Sequence, residues 1–195
     1  KSAEGGHETL LPGPWNARSR VHEYGGGAWE QSDGVLWFVH LDDQRVHRLG
    51  PDDAAPVAIS PEVPDASLRY GDLTVSGGRL WAVQGRHDHA TEAISRSLVV
   101  FAEAGPVEVV GDHHFLAYPR VSPDGRHLAW IGWDHPQMPW DGTELRLARL
   151  DEDGACLASE PMVLAGGIEE SVLQPEWESS RRLLFASDRT GWWSL

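Results

Sequence analysis

Ser122-Pro123-Asp124-Gly125-Arg126-His127-Leu128-Ala129-Trp130-Ile131 joins a Pro/Gly turn to an aromatic-rich apolar run, and this turn-and-strand unit recurs along the chain. Pro123 supplies the fixed φ of the second turn position and Gly125 the left-handed position that closes a hairpin, so strands are expected at 116–121 and 127–133. The other copies are Gly34-Val35-Leu36-Trp37-Phe38-Val39, Gly78-Arg79-Leu80-Trp81-Ala82-Val83 and Arg182-Leu183-Leu184-Phe185-Ala186. With Leu36, Leu80, Leu128 and Leu183 taken as equivalent, the copies lie 44, 48 and 55 residues apart, close to the ~40–50 residues of one four-stranded propeller blade. The turns Gln31-Ser32-Asp33-Gly34 and Ser76-Gly77-Gly78 serve the first two copies, whereas Glu178-Ser179-Ser180-Arg181 in the fourth has lost the Pro, Asp and Gly.

The rest of the chain agrees with an all-β fold. The 21 Gly and 13 Pro interrupt it every few residues, and no amphipathic run of helical period lasts three turns. Short runs of Trp, Val, Leu and Phe are strand chemistry, and ten Trp suit aromatic packing between successive twisted sheets. Weaker strands are expected at 45–49, 97–101, 107–110, 144–150 and 162–164, with 50–64 and 85–95 polar and loop-like. The blade units are 12–64, 65–115, 116–168 and an incomplete 169–195, with strands near 182–187 and 192–195 in the last. Residues 7–11 read as a lone strand. Four such units make an incomplete arc of a β-propeller, and Lys1 and Leu195 read as cut ends, which favours a propeller fragment.

The 16 Lys+Arg against 30 Asp+Glu leave a formal net charge of −14. That balance argues against a nucleic-acid partner, whose phosphates are held by accumulated basic contacts. Cys156 is alone, so no internal disulfide forms, which fits a reducing, cytoplasmic setting. No run of about 18 apolar residues marks a membrane segment, and no membrane partner is expected.

Four stretches stand out as candidates for chemistry. In Arg20-Val21-His22-Glu23-Tyr24-Gly25-Gly26-Gly27-Ala28-Trp29, three consecutive glycines allow close backbone approach; Glu23 and Tyr24 are either ligand contacts at a cavity mouth or neighbours of a glycine-kinked innermost strand. The stretch from Trp133 to Glu144 is far longer than a tight turn and gathers Trp140, Asp141 and Met138, as binding loops on rigid scaffolds do. His87-Asp88-His89 and Asp112-His113-His114 carry metal-ligand side chains, but no third ligand is placed by spacing, so they read as solvated loop histidines and no metal or cofactor is expected. In Ser187-Asp188-Arg189-Thr190-Gly191-Trp192-Trp193 the Asp directly follows the Ser, which excludes the Asp-box turn of sialidases. The serine elbow Gly-x-Ser-x-Gly is absent from the chain.

Five stretches in order, from His22 to Trp29, Tyr118 to Arg126, Trp133 to Leu145, Gln174 to Trp177 and Ser187 to Trp193, resemble the N-terminal propeller of bacterial peptidases of the prolyl oligopeptidase family, in its acylaminoacyl or dipeptidyl aminopeptidase branch. The resemblance implies a parent enzyme with a propeller of seven or eight blades and a C-terminal α/β-hydrolase domain that carries a Ser-Asp-His triad. It further implies a non-catalytic chain that gates access of short peptides or aminoacyl amides to that serine peptidase. Acidic and aromatic residues facing the cavity would then be Glu23, Tyr24, Trp140, Asp141, Glu170 and Glu176. The alternative is a free-standing propeller acting as a protein-interaction or ligand-binding scaffold, since fold alone does not choose a function.

Overall fold

The computed structural model describes residues 9–23 and 26–195. Within them, strands form four antiparallel sheets, each in chain order. The first sheet is β1 (Trp29–Ser32), β2 (Val35–Val39), β3 (Val46–Leu49) and β4 (Val57–Ala58). The second is β5 (Leu68–Ser76), β6 (Arg79–Asp88), β7 (Ala93–Ala102) and β8 (Gly105–Val110). The third is β9 (Phe115–Val121), β10 (His127–Trp133), β11 (Glu144–Arg149) and β12 (Met162–Gly166). The fourth holds β13 (Val172–Ser179) and β14 (Arg182–Ser187). The first strands of successive sheets are neighbours, β1 with β5, β5 with β9 and β9 with β13. Up-and-down sheets arranged radially about a shared innermost edge are blades of a β-propeller, so the chain is an all-β propeller portion.

The second strands read as continuous apolar runs because alternate side chains enter two different interfaces. Trp81 and Val83 of β6 join Leu98 and Val100 of β7 and meet Leu128 and Trp130 of β10 in one core. Leu80, Ala82 and Val99 turn the other way, onto Val39 and Val46 of the first sheet. Ala129, Ile131 and Trp133 pack with Leu145 against Val172, with Trp177, Leu183 and Phe185 around them. The outward face of the first sheet is covered by Trp15, whose ring lies 5.8 Å from Phe38 and 5.0 Å from His47. Hydroxyl groups join neighbouring sheets where the strands do not pair. Ser76 Oγ donates to Val121 O and accepts from Val121 N, both at 3.0 Å. Thr143 Oγ1 does the same for Val172, at 2.7 Å and 2.8 Å.

The leucine repeat holds in register: Leu36, Leu80, Leu128 and Leu183 pair with Gln31, Val75, Val121 and Trp177 of the respective first strands. Each hairpin closes as its turn residues dictate, with Asp33 and Gly34, Gly77 and Gly78, and Gly125 in the left-handed region. In the fourth, Ser180 and Arg181 make the turn without positive φ, as expected from the lost glycine. A bulge interrupts three first strands at one equivalent place. Asp72, Tyr118 and Gln174 there adopt φ of 50°, 54° and 54°, with two residues opposite one on the partner strand.

Four local expectations are corrected. Residues 85–95 are not loop-like: β6 and β7 pair to Asp88↔Ala93, forming a polar hairpin that extends beyond the core. Its exposed tip needs no apolar pattern, since the backbone ladder alone continues it. Within 50–64, the two-residue strand β4 pairs His47↔Ala58 and Arg48↔Val57. Of the strand expected at 7–11, residues 7 and 8 lie outside the described residues, and Thr9, Leu10 and Leu11 form no strand; Leu10 is exposed, with no apolar face to bury. Residues 192–195 contribute a single bridge, Ser187↔Ser194, rather than a strand.

Three substitutions test this packing. Leu128 is fully buried between two sheets, so Leu128→Ala should cost about 2–5 kcal/mol of unfolding free energy in urea titrations. Leu183, at the equivalent place but half-buried in the two-stranded sheet, should cost less when changed to Ala; equal losses would contradict the two-interface account. Thr143→Val should cost about 1–3 kcal/mol by leaving the Val172 amide and carbonyl unpaired.

Candidate functional site

Antiparallel order places two sets of loops at one end of the axis: those preceding each first strand and those following each second strand. Residues 21–23 with 26–28, 59–67, 111–114 and 167–171 belong to the first set, and 40–45, 89–92, 134–143 and 188–193 to the second. Four of the six sequence candidates, Glu23, Trp140, Asp141 and Glu170, fall at this entry end by topology. Tyr24 lies outside the described residues. The turns between first and second strands mark the opposite, hairpin end.

The third and fourth sheets bring Trp140, Asp141 and Glu170 into one group. The 134–143 loop is built by turns, Gln137 N donating to Asp134 O at 3.0 Å and Asp141 N to Met138 O at 2.9 Å. The Asp141 carboxylate caps it, accepting Met138 N at 3.0 Å. Its far root is held against the residues before β13: Thr143 N donates to Glu170 O at 3.1 Å, and Ser171 Oγ donates to Pro139 O. Gly142 is required there, because a Cβ would stand 2.5 Å from Gly167 O. Trp140 projects with 63% of its surface exposed. Glu170 Oε1 accepts Ser187 Oγ at 2.6 Å and Arg189 Nε at 3.0 Å; these bonds, the serine's first, hold its carboxyl below the usual range.

Glu23 stands apart from that group, over the second sheet. The buried guanidinium of Arg69 on β5 donates to its carboxylate, and Arg20 Nη2 adds a second bond at 3.1 Å. The Arg69 bond holds the Glu23 carboxyl below its ordinary value. Between the two groups lies His22, its ring 6.2 Å from Phe115 and 6.5 Å from Trp133. Burial and the nearby Arg96 push its pKa down to about 4, so the imidazole is neutral there.

Glu176 belongs to a different place. Glu30, Thr74, Arg120 and Glu176 pair with Trp37, Trp81, Ala129 and Leu184, each one residue past the repeated leucine. These equivalent positions of the four first strands line one cavity of about 470 Å³. There Arg120 Nε donates to Glu176 Oε1 at 3.0 Å, and Trp177 Nε1 to Arg120 O at 3.0 Å. Asp72, whose carboxyl burial pushes up, accepts Tyr118 N at 2.5 Å beside them. Sequence reading missed Arg69, Arg120 and Arg189, the arginines that hold the candidate carboxylates. No local spacing signals them, since Arg69–Glu23 and Arg120–Glu176 join different sheets.

The histidine motifs also look different in three dimensions. Asp88 caps its own turn, accepting Ala90 N at 2.9 Å, and His87 is half-buried, with burial lowering its pKa. The reading of Asp112-His113-His114 as solvated is corrected for His113, whose side chain is only 7% exposed and sits among Asp112, Asp134 and Glu144. Strand pairing folds β10 and β11 back beside it, which local polarity does not reveal. Among the described residues no cluster of three His, Cys, Asp or Glu is placed to hold a metal ion, and no helix is long and apolar enough to cross a membrane.

No protein-family model matches this chain, and no curated protein does. Solved structures do. A puromycin-hydrolysing peptidase of Mycobacterium tuberculosis is 38% identical with a TM-score of 0.86, over 97% of this chain and 32% of its own. A puromycin hydrolase is 36% identical with a TM-score of 0.85, over 98% of this chain and 32% of its own; a mutant of puromycin hydrolase complexed with PGG matches equally well. Regucalcin of Agrobacterium tumefaciens, a calcium-binding protein, shares the fold alone, at 15% identity, a TM-score of 0.56, and coverage of 81% of this chain and 51% of its own. The chain thus spans about a third of the length of the peptidases it matches. Similar to them over nearly all of its own residues, and built as the propeller that its motifs imply, this chain belongs to that peptidase family as a portion of its β-propeller.

Proposed function

We propose that this propeller is the gating and specificity part of a serine peptidase that hydrolyses short peptides or aminoacyl amides, puromycin among the substrates to test. The observation that carries the reading is the 36–38% identity to puromycin-hydrolysing peptidases over nearly the whole chain. In this reading the partner is a linked C-terminal α/β-hydrolase domain that supplies the nucleophile, and the complete ring has seven or eight blades. The lone, exposed Cys156 suits a reducing, cytoplasmic setting.

Gating follows from architecture. A rigid ring narrows the route to a buried catalytic centre and excludes folded proteins by size, with no binding energy required. Specificity falls to the entry end, where Trp140 offers an exposed aromatic face and Glu23, Asp141 and Glu170 offer polar groups, and to Glu176 deeper along the axis. The Glu23 carboxyl is held below its ordinary value by Arg69, and that of Glu170 by Ser187 first and then Arg189. An ionised carboxylate shielded from water holds a substrate's protonated α-amine by charge-assisted hydrogen bonds. An amine arriving there shares the carboxylate with the arginine already in place.

The test uses the peptidase that carries this propeller. Glu170→Gln and Glu23→Gln should each raise KM for aminoacyl substrates with a free amine by about tenfold, the equivalent of one charge-assisted bond. For N-acylated analogues KM should change by less than about twofold. Equal effects on both substrate types would remove the amine-anchoring role.

A further inference from the structure

His113 precedes β9, with a side chain buried against the backbone of β10. Gly132 makes this possible, because a Cβ at that position would stand 2.8 Å from the imidazole ring. Carboxylates approach the ring from three directions. Asp112 Oδ1, on its own segment, lies 3.0 Å from Nδ1. Glu144 Oε2 lies 3.6 Å and Asp134 Oδ2 4.0 Å from Nε2. Arg146 of β11 completes the cluster, with Nη1 3.0 Å from Glu144 and 3.4 Å from His113 Nε2, where its charge opposes that of the carboxylates, and Nε 3.4 Å from Asp112. The adjoining His114 takes the other oxygen of Asp134, through its backbone N and its Nδ1, both at 2.7 Å. Arg96 of β7 donates to His114 O at 2.9 Å, and the His135 ring stands 5.4 Å from that of His114.

Asp134 and Glu144 are the residues that bound the 134–143 loop, the first after β10 and the first of β11. One imidazole therefore faces the carboxylates at both roots of the loop that carries Trp140. We propose that His113 is a positioning residue for this loop, drawing its two roots together through the positive charge of the imidazolium. This rests on the proposed reading in which the loop faces substrate. When the proton is lost, Asp112, Asp134 and Glu144 face Arg146 as their nearest permanent cation, and mutual repulsion loosens the loop roots.

The Asp112 carboxylate beside Nδ1, opposed by burial, raises the His113 pKa above its ordinary value. A raised folded-state value means the pinning is fully present below the ordinary histidine range and is lost as pH rises through the raised value.

Hydrogen exchange of the full protein, read by mass spectrometry between about pH 5 and pH 9 and expressed as protection relative to intrinsic rates, tests this. Loop amides 134–143 should lose protection as His113 deprotonates, by at most about tenfold per pH unit, the limit for one linked proton. His113→Gln should hold the loop at the low-protection level at every pH, while amides of β9 and β10 stay protected. Should that variant fail to fold, Asp134→Asn decides: it keeps the imidazole, frees one root, and should shrink the step. A flat wild-type loop profile, a step that survives His113→Gln, or an undiminished step in Asp134→Asn would each overturn the inference. The pH profile of KM separates this from the gating reading. A loop step without a KM step sinks the gating role and leaves the positioning role standing, whereas a missing loop step sinks the positioning role whatever KM does.

Discussion

Every sheet in this chain has two apolar faces, and burying both against neighbouring sheets is the constraint from which the rest follows. A single four-stranded sheet buries neither face by itself. Stacking in chain order solves this for the second and third sheets, whose alternating side chains enter two separate cores. At roughly 25 cal/mol per Å² of apolar surface removed from water, fully buried residues as large as Trp81, Trp130, Tyr70 and Phe38 dominate this stabilisation. The first sheet finds partial cover in its own leading segment through Trp15. In the fourth, the apolar residues of β14 remain half-buried.

Radial stacking also determines where chemistry can sit. The sheets converge on their first strands, so the axis is walled by backbone edges and by the few side chains those strands direct inward. A bulge at the same place in three of them, with Asp72, Tyr118 and Gln174 in left-handed conformation, turns polar groups across to the next sheet; the bond from Tyr118 N to Asp72 is one result. Long insertions are tolerated only at the loops, and the chain spends its longest second-to-third-strand connection on the segment with Trp140 and Asp141. The two ends of the axis thus differ: the 134–143 loop with Trp140 marks one, and the tight first-to-second-strand turns lie with the acidic 150–161 loop at the other.

Most of the acids singled out at the entry end are already engaged, Glu23 by Arg69 and Glu170 by Arg189, and the same is true of Glu176 and Arg120 along the axis. In a chain with a formal charge of −14, such pairing places the scarce cations where carboxylates converge. Asp112, Asp134, Glu144 and Arg146 around His113 follow the same logic with a titratable group at the centre. Electrostatics here complements the packing, because Arg69, which ties β5 to the segment before β1, also holds the Glu23 carboxyl below its ordinary value.

The sequence by itself determined the repeat, the all-β class, the hairpin turns and the position of the long loop. Each of these is written in neighbouring residues: a Pro or Gly at a turn position, or an apolar run whose two faces are both buried. The first strands β1, β5 and β13 were much harder to read, because β1 has only four residues and bulges break the alternation of β5 and β13. The polar tip of the β6–β7 hairpin was equally hidden, since backbone pairing extends it without any apolar signal. Only the tertiary structure decided which acid meets which arginine, that Glu176 sits apart from Glu170, and that His113 is buried. Those contacts join residues from different sheets or from strands folded back on one another, so they depend on how blades stack about the axis, a geometry that no local stretch of sequence encodes.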